Sequence, residues 1–335
     1  MCIRDRVGTG PFQVVEWVPG DKVILRKFPD YFRKGLPYLD GVVLQQIPDA
    51  PAMVVNLEAG GLDMAWDVPP REAARLMNER KAALLQNLGG ASVIDIMMNV
   101  SRPPFDNKKV RQAINHAVDR KRFVDTVLVG FGEPWCQPFP HQSLGFSKEL
   151  GTKHCTFDLA RAKQLLTEAG YPNGFESVLH ISTATFPTTR QLAQILQADL
   201  AKIGVRLTIR DVEPAEYREV TWGTRQKFAI VLHQYGRGSM DPDTLFKAAG
   251  AWYTKGAMHT FTSPEYIRLV NEAGSILDPA KRRPLYDQLA RFLADQAFTL
   301  PITPNFSLSA IGPTAQGVAV NIDGMPILDE AWLTR

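Results

Sequence analysis

The 335 residues contain no long apolar run, which leaves no candidate for a membrane-spanning helix. Charge of one sign is also scarce. The formal net charge is +3 and no dense Lys/Arg run occurs, so nucleic-acid binding has no electrostatic footprint. Cysteine is nearly absent: Cys2, Cys136 and Cys155 show neither a CxxC pair nor the Cys/His spacing of a zinc site. The six histidines are scattered, and no two have the spacing of a metal-binding helix or loop. No serine stands in a GxSxG elbow. Neither a cofactor nor a metal is therefore expected, and nothing supports a nucleophilic triad.

What is present is an ordinary globular composition, 45% hydrophobic and 22% charged, in a chain long enough for two lobes with full cores. Glycine and proline are frequent but dispersed, which suits many short connections. Cys136 and Cys155 flank a Pro/Gly-containing stretch. They either close it as a disulfide or remain two unpaired thiols. Residues 1–6, Met1 to Arg6, match nothing that follows and read as a non-native scar. They lack the basic start, apolar stretch and cleavage site of a secretory signal.

From Val7 the text is β-rich. Phe12–Trp17 and Val23–Arg26 are strands around the turn Pro19-Gly20-Asp21, and Val42–Ile47 is a third. Helices are expected over Pro51–Ala59 and Pro70–Asn78, with Leu62–Trp66 a short strand between them and Ile94–Asn99 a strand after them. The next region is helix-rich. Asp106 is the expected cap of a helix from Lys108, Asp119 of a helix over 120–129, and Asp158 of a helix over 159–169. The stretch between Phe131 and Cys155 reads as loop. A helix from Leu192 to Ile203, a period-two strand at Val205–Arg210, a helix from Pro214 to Arg225 and a strand from Phe228 to Gln234 make a β-α-β pattern. Two helices, over 264–277 and 280–297, precede short strands at Thr299–Ile302 and Ser307–Ile311. The fold class expected is α/β.

Gly8-Thr9-Gly10 invites a phosphate-binding reading, but a proline and a strand follow where a helix should open, so a turn is expected. Asp241-Pro242-Asp243 looks like an acid pair. Asp-Pro favours a turn, and Asp243 is placed to cap a helix over 244–249. The informative segment is the strand ending at His233 and Tyr235, followed by Gly236-Arg237-Gly238-Ser239. It puts polar and aromatic groups where α/β sheets carry ligand.

Three stretches together resemble family 5 of the bacterial extracellular solute-binding proteins, the dipeptide-, oligopeptide- and nickel-binding type of ABC importer. They are Val7-Gly8-Thr9-Gly10-Pro11-Phe12 with Pro37-Tyr38-Leu39-Asp40; Met98-Asn99-Val100 through Pro104-Phe105-Asp106, Val110-Arg111-Gln112-Ala113-Ile114 and Ala117-Val118-Asp119-Arg120; and Asp158–Lys163 with Ala169-Gly170-Tyr171-Pro172. The resemblance implies a two-lobed, type II periplasmic-binding-protein-like fold with the first lobe incomplete. Lobe one would comprise 7–100 and 306–335, lobe two 101–305, and the crossings would fall near Asn99 and Pro304. Lobe one is then expected to expose apolar surface and strand edges.

The implied function is capture of a peptide-like, opine-like or other small polar solute by lobe closure, with ABC permease subunits as partners. The protein would be a monomer, located in the periplasm or extracellular and membrane-anchored. Tyr235, His233, Arg237, Gly238 and Ser239 would line the lobe-two side of the site. Tyr217, Trp222 and Arg225 are further candidates, with core packing the alternative for Tyr217 and Trp222. Met98 and Asn99 would sit at the hinge, and Asp67 would approach from lobe one. Peptide binders of this family carry an Asp just after an aromatic at this strand end. Here that position is Gly238 and the aromatic is Tyr235, which points away from a peptide amine, while Arg237 and His233 nearby suit an anionic or hydroxyl-rich solute such as an opine, a sugar-like compound or a modified peptide. The alternatives are an α/β hydrolase or transferase, for which no catalytic motif is visible, and a metallophore-binding or chemoreceptor-associated protein on the same fold.

Overall fold

The computed structural model describes residues 8–153, 156–185, 188–222, 228–236, 241–248, 263–297, 299–321 and 324–334. The chain divides into two compact units, Met1–Asn87 with Phe306–Arg335, and Leu88–Asn305. Among the described residues, no helix is long and apolar enough to cross a membrane.

The first unit opens with a three-stranded antiparallel sheet, β1 (Phe12–Val18), β2 (Lys22–Lys27) and β3 (Gly41–Gln45), with β2 central. The turn between β1 and β2 uses Gly20 at φ 79°, a left-handed conformation that glycine adopts without steric cost. A bulge at Val15 separates Val14, opposite Leu25, from Glu16, opposite Ile24. The register puts Val14, Trp17, Val23, Leu25, Val42 and Leu44 on one face. That face is apolar, yet Trp17 and Leu44 are 45% and 48% exposed. Helix α1 (Ala50–Glu58) starts at Asp49, which accepts from the Ala52 N–H at 2.8 Å. After the short strand β4 (Met64–Ala65) comes α2 (Pro70–Asn78), whose Arg75 reaches back to Glu58 of α1 at 2.8 Å, to Glu72 on its own helix and to Glu79, which caps it.

The second unit begins inside a long strand, β5 (Ala83–Met98). It continues with α3 (Lys108–Ala117), α4 (Arg120–Thr126), α5 (Lys148–Lys153), α6 (Leu159–Glu168), β6 (Glu176–Ile181), α7 (Thr189–Ala201), β7 (Arg206–Asp211), α8 (Pro214–Trp222), β8 (Ile230–Gly236), α9 (Pro242–Ala248), α10 (Pro264–Ser275), α11 (Pro279–Gln296) and β9 (Thr299–Ile311). Its sheet has the order β9-β5-β8-β6-β7. Strand β6 is parallel to both β7 and β8, while β5 is antiparallel to β8. A core of Val93, Met97, Tyr217, Val220, Val231, Phe246, Tyr266 and Tyr286 lies on one face of this sheet. The far end of β9 belongs to the first unit, where Ala310 and Ile311 pair with Ala65 and Met64.

The boundaries between the two units fall between Asn87 and Leu88 and between Asn305 and Phe306, both inside strands. Several details differ from the sequence expectation. The cap of α3 is Asn107, which accepts from the Lys109 N–H, not Asp106. Helix α9 starts at Pro242, so the residue that takes the Asp243 N–H is Asp241, and Asp243 lies within the first turn. The segment after Phe131 contains α5, and the sequence predicts no strand where β6 lies. The two short strands near residue 305 are one continuous strand, β9, in which Pro301 and Pro304 are accommodated.

Two buried arginines explain the Val110–Arg120 stretch. Arg111 is 3% exposed and donates to the carbonyls of Phe105, Asp106 and Gln296. Arg120, also 3% exposed, donates to the Pro301 carbonyl at 2.7 Å and to the Asn115 carbonyl and side chain. Burial pushes both guanidinium groups down to about 10, so both stay charged at neutral pH. These carbonyl contacts tie α3 and α4 to the chain entering β9. Nearby, the fully buried Asp199 is held by Arg122 at 2.7 Å, Lys202 at 3.0 Å and the Asp119 N–H at 3.1 Å. Cys136 is in a disulfide; its sequence-expected partner, Cys155, lies outside the described residues.

Arg120→Met keeps the apolar stem but strands three acceptors, so it should lower unfolding stability by about 2–4 kcal/mol. A urea denaturation midpoint measured against the parent chain checks this. A loss below about 0.5 kcal/mol, the range of an ordinary surface substitution, would show that water replaces the guanidinium.

Candidate functional site

The chain leaves β6 toward β7 on one side, then returns past β6 to β8 on the other. Such a reversal makes the carboxyl ends of the parallel strands the place where α/β sheets take ligands. Those ends are Ile181, Asp211 and Gly236. The sequence candidates Tyr235 and His233 stand on β8, opposite Val93 and Asp95 of β5. Arg237, Gly238, Ser239 and Arg225 lie outside the described residues, and only the backbones of Tyr235 and Trp222 are described.

His233 is 5% exposed and Asp95 is fully buried. The imidazole Nδ1 lies 3.3 Å from the Asp95 carboxylate without the alignment of a hydrogen bond, and neither carboxylate oxygen has a hydrogen-bonding partner. Burial pushes the Asp95 carboxyl up from its ordinary value, and the imidazole opposes this. Tyr217, on α8, belongs to the same core. Its hydroxyl donates to the Leu232 carbonyl at 2.7 Å. Burial, with the Asp95 charge second, pushes that hydroxyl well above the usual tyrosine range. Tyr217 therefore takes the core-packing alternative.

Met98 and Asn99 are buried in the second unit. The Asn99 N–H donates to the Ala229 carbonyl and its side-chain amide to that of Phe228, while its carbonyl oxygen accepts from the Ser101 N–H and hydroxyl. Asn99 thus joins the end of β5 to the segment entering β8. In the first unit, Asp67 follows β4 on an exposed turn with φ 60°, an uncommon conformation for a non-glycine residue. Its neighbour Trp66 is 44% exposed. Local desolvation raises the Asp67 carboxyl even though the residue as a whole is exposed.

The strand ends also carry a cluster that sequence reasoning missed. Asp211, the last residue of β7, accepts from the Thr183 N–H at 3.0 Å and hydroxyl at 2.6 Å, and pairs with Arg190 of α7. The Thr183 hydroxyl bond leads in holding the Asp211 carboxyl below its usual range. Ser182 and Thr185 share a hydroxyl contact of 3.0 Å beside it. The available signal was a polar Ser-Thr pair directly after an apolar run, which becomes visible only once β6 is recognised as a strand.

Residues 4–256, which run through both units, match the family described as bacterial extracellular solute-binding proteins, family 5, middle. The chain belongs to this family. It is 31% identical over 316 residues to the heme-binding protein A of Haemophilus influenzae, covering 93% of this chain and 57% of that protein. It is 28% identical over 323 residues to the glutathione-binding protein GsiB of Escherichia coli, covering 91% of this chain and 60% of that one. The chain thus spans less than two thirds of the length of these relatives. Among solved structures, HbpA2 from Haemophilus parasuis matches with a TM-score of 0.81 at 29% identity, over 98% of this chain and 64% of that one. AgaA of Agrobacterium tumefaciens, solved with agropinic acid, matches with a TM-score of 0.78 at 26% identity, over 97% of this chain and 67% of that one. These neighbours fix the fold as the mixed α/β, type II binding-protein fold expected from the sequence.

Tyr217→Phe removes one buried hydrogen bond and leaves the Leu232 carbonyl unmet, so it should cost about 1–2 kcal/mol of stability. Because the hydroxyl is committed to the core, the affinity of the intact second unit for any solute should not change. Titration calorimetry of the variant alongside its urea midpoint separates the two effects.

Proposed function

We propose that this chain is the solute-capturing component of an ABC-type importer, working in the periplasm as a monomer that delivers its solute to permease subunits. The observation that carries this reading is the family match through both units. That family consists of binding proteins, which removes the support for the hydrolase or transferase alternative. On this reading the two units are the two lobes that close on the solute, and the passages of the chain along β5 and β9 are the hinge. Tyr235, His233, Arg237, Gly238 and Ser239 form the second lobe's contribution, and Asp67 contributes from the first. Trp222 and Arg225 remain candidates on α8 and just after it.

The solute is a small polar molecule of peptide-like or opine-like kind. Gly238, where peptide binders resembling this chain place a carboxylate, argues against a contact with a free amine, because a buried ammonium without a counter-charge is costly. The AgaA neighbour was solved with agropinic acid and GsiB is a glutathione-binding protein, which supports an anionic solute.

A thermal-shift and calorimetry panel of free dipeptides, glutathione and opine acids tests the reading. A true solute at a hundredfold excess over its Kd should stabilise the chain by about 2.7 kcal/mol. Tyr235→Ala should weaken that solute at least about tenfold, the loss of one good aromatic contact, with no change in the urea midpoint. Tighter binding of free dipeptides than of anionic solutes would overturn the assignment of solute class. Turnover of a bound compound would overturn the binding-protein reading.

A further inference from the structure

A bulge lies beside β9 in the first unit. Strand β4 starts as a regular antiparallel partner of β9. The Gly312 N–H donates to the Asp63 carbonyl, Met64 opposes Ile311 and Ala65 opposes Ala310. That register, continued, would set Asp67 against Leu308. It is Val68 instead whose N–H donates to the Leu308 carbonyl, at 2.8 Å. Trp66 and Asp67 therefore stand against the single residue Ser309, and the chain bulges there. The extra residue breaks the alternation that would send two consecutive side chains to opposite faces.

Both residues of the bulge are unusual for where they stand. Asp67, at φ 60°, occupies the left-handed region, which glycine fills without steric cost and other residues fill with strain. Strain of this kind gathers at ligand clamps. Trp66 is 44% exposed, although Ala65 and Val68, on either side of the bulge, are buried. Burial raises the Asp67 carboxyl, so water is partly excluded from an acid on an exposed turn. A half-sheltered carboxylate next to an indole is matched by a positively charged nitrogen. The charge answers the acid, and the negative face of the ring attracts it.

We propose that Trp66 and Asp67 form an ammonium subsite in the first unit, and that the solute is a net anion carrying one cationic nitrogen. The proposal rests on the solute-binding reading and names the solute class within it. Gly238 leaves the second lobe's assigned residues without the carboxylate that peptide binders resembling this chain place there. Asp67 supplies a carboxylate from the first lobe. Acids of peptide-like or opine-like kind that keep a primary or secondary amine meet both requirements. Ser309, opposite the bulge, is the fourth residue of β9 inside the first unit. The subsite therefore hangs on a strand that the same reading takes as part of the hinge.

The backbone holds the two residues without using their side chains. The ladder to Ala310 fixes the chain before the bulge, and the Val68 bond fixes it after. Substitution can therefore remove each chemical feature and keep the turn. Asparagine enters the left-handed region as readily as aspartate, so Asp67→Asn deletes the charge alone. Trp66→Ala deletes the ring from a half-exposed position. A solute nitrogen that is acylated, or replaced by oxygen, leaves the carboxylate without a counter-charge, and this discriminates the subsite from a plain polar contact.

Titration calorimetry of the full chain with two matched pairs tests this. The pairs are glutathione with N-acetylglutathione, and alanopine with the ether in which oxygen replaces its ammonium nitrogen. Glutathione or alanopine should bind, and its partner without the cationic nitrogen should bind about tenfold to hundredfold more weakly, the loss of a charged hydrogen bond. Asp67→Asn should weaken the cationic member by a like factor and leave its partner's affinity and the urea midpoint unchanged. Trp66→Ala should weaken the cationic member about threefold. Equal affinities within each pair, or no binding of glutathione and alanopine, would overturn the ammonium assignment. Equal losses for both members of a pair in Asp67→Asn would show a structural role and overturn it too. The solute-binding reading fails separately, only if no other solute binds the chain either.

Discussion

The register of β5 against β8 is the constraint on which the second unit depends. Seven residue pairs, from Ser92 opposite Gly236 to Met98 opposite Ile230, lock the two strands antiparallel. A slip of one position would turn Val93, Asp95 and Met97 to the other face and put Ile94 and Ile96 in their place. Asn99 guards against that slip at the end of the ladder. Its backbone and side chain take the carbonyls of Ala229 and Phe228, the last two residues before β8. The same register sets His233 against Asp95 and the backbone of Tyr235 opposite Val93. The strand end assigned to the solute is therefore positioned by the strand along which the chain enters this unit.

The helical layer is fixed to the sheet by charges buried against backbone carbonyls. Arg120 reaches Pro301 at the start of β9, and Arg111 reaches Gln296 at the end of α11. A guanidinium offers several donors in a rigid fork and can meet two or three carbonyls at once, which a lysine cannot do in the same geometry. The stretch from Val110 to Arg120 carried much of the family resemblance in the sequence. In the structure these arginines hold helices to strands, some distance along the chain from the residues assigned to the solute. A motif that identifies a family need not contain its binding residues.

Elements whose signal is local were legible in the sequence. The caps Asp119 and Asp158 each accept the N–H three residues on, and α2 runs over the expected residues. Where an alternative cap stood one or two residues away the choice failed, as with Asn107 and Asp241, because capping depends on which backbone turns first. Strand lengths failed for a different reason. The sequence predicts only Ile94–Asn99 of β5 and two short pieces of β9, but long-range pairing overrides local preference. Strand β6, with Glu176 and Ser177 at its start and His180 within it, lacks the alternation that marked β7. The Asp95–His233 pair was out of reach for the same reason: it joins residues far apart in sequence, and only the register brings them together.

That pair also changes how charge at the site must be counted. From sequence, His233 beside Arg237 suggested two cations available to an anionic solute. In the structure the His233 ring faces the buried Asp95 carboxylate at 3.3 Å. A solute anion then gains nothing from the imidazole, and beyond about a Debye length of 8–10 Å even an unbalanced charge there is largely screened wherever solvent intervenes. Under the proposed reading, attraction for an anion has to come from groups other than this imidazole, so the buried carboxylate on β5 enters the charge count of the proposed site.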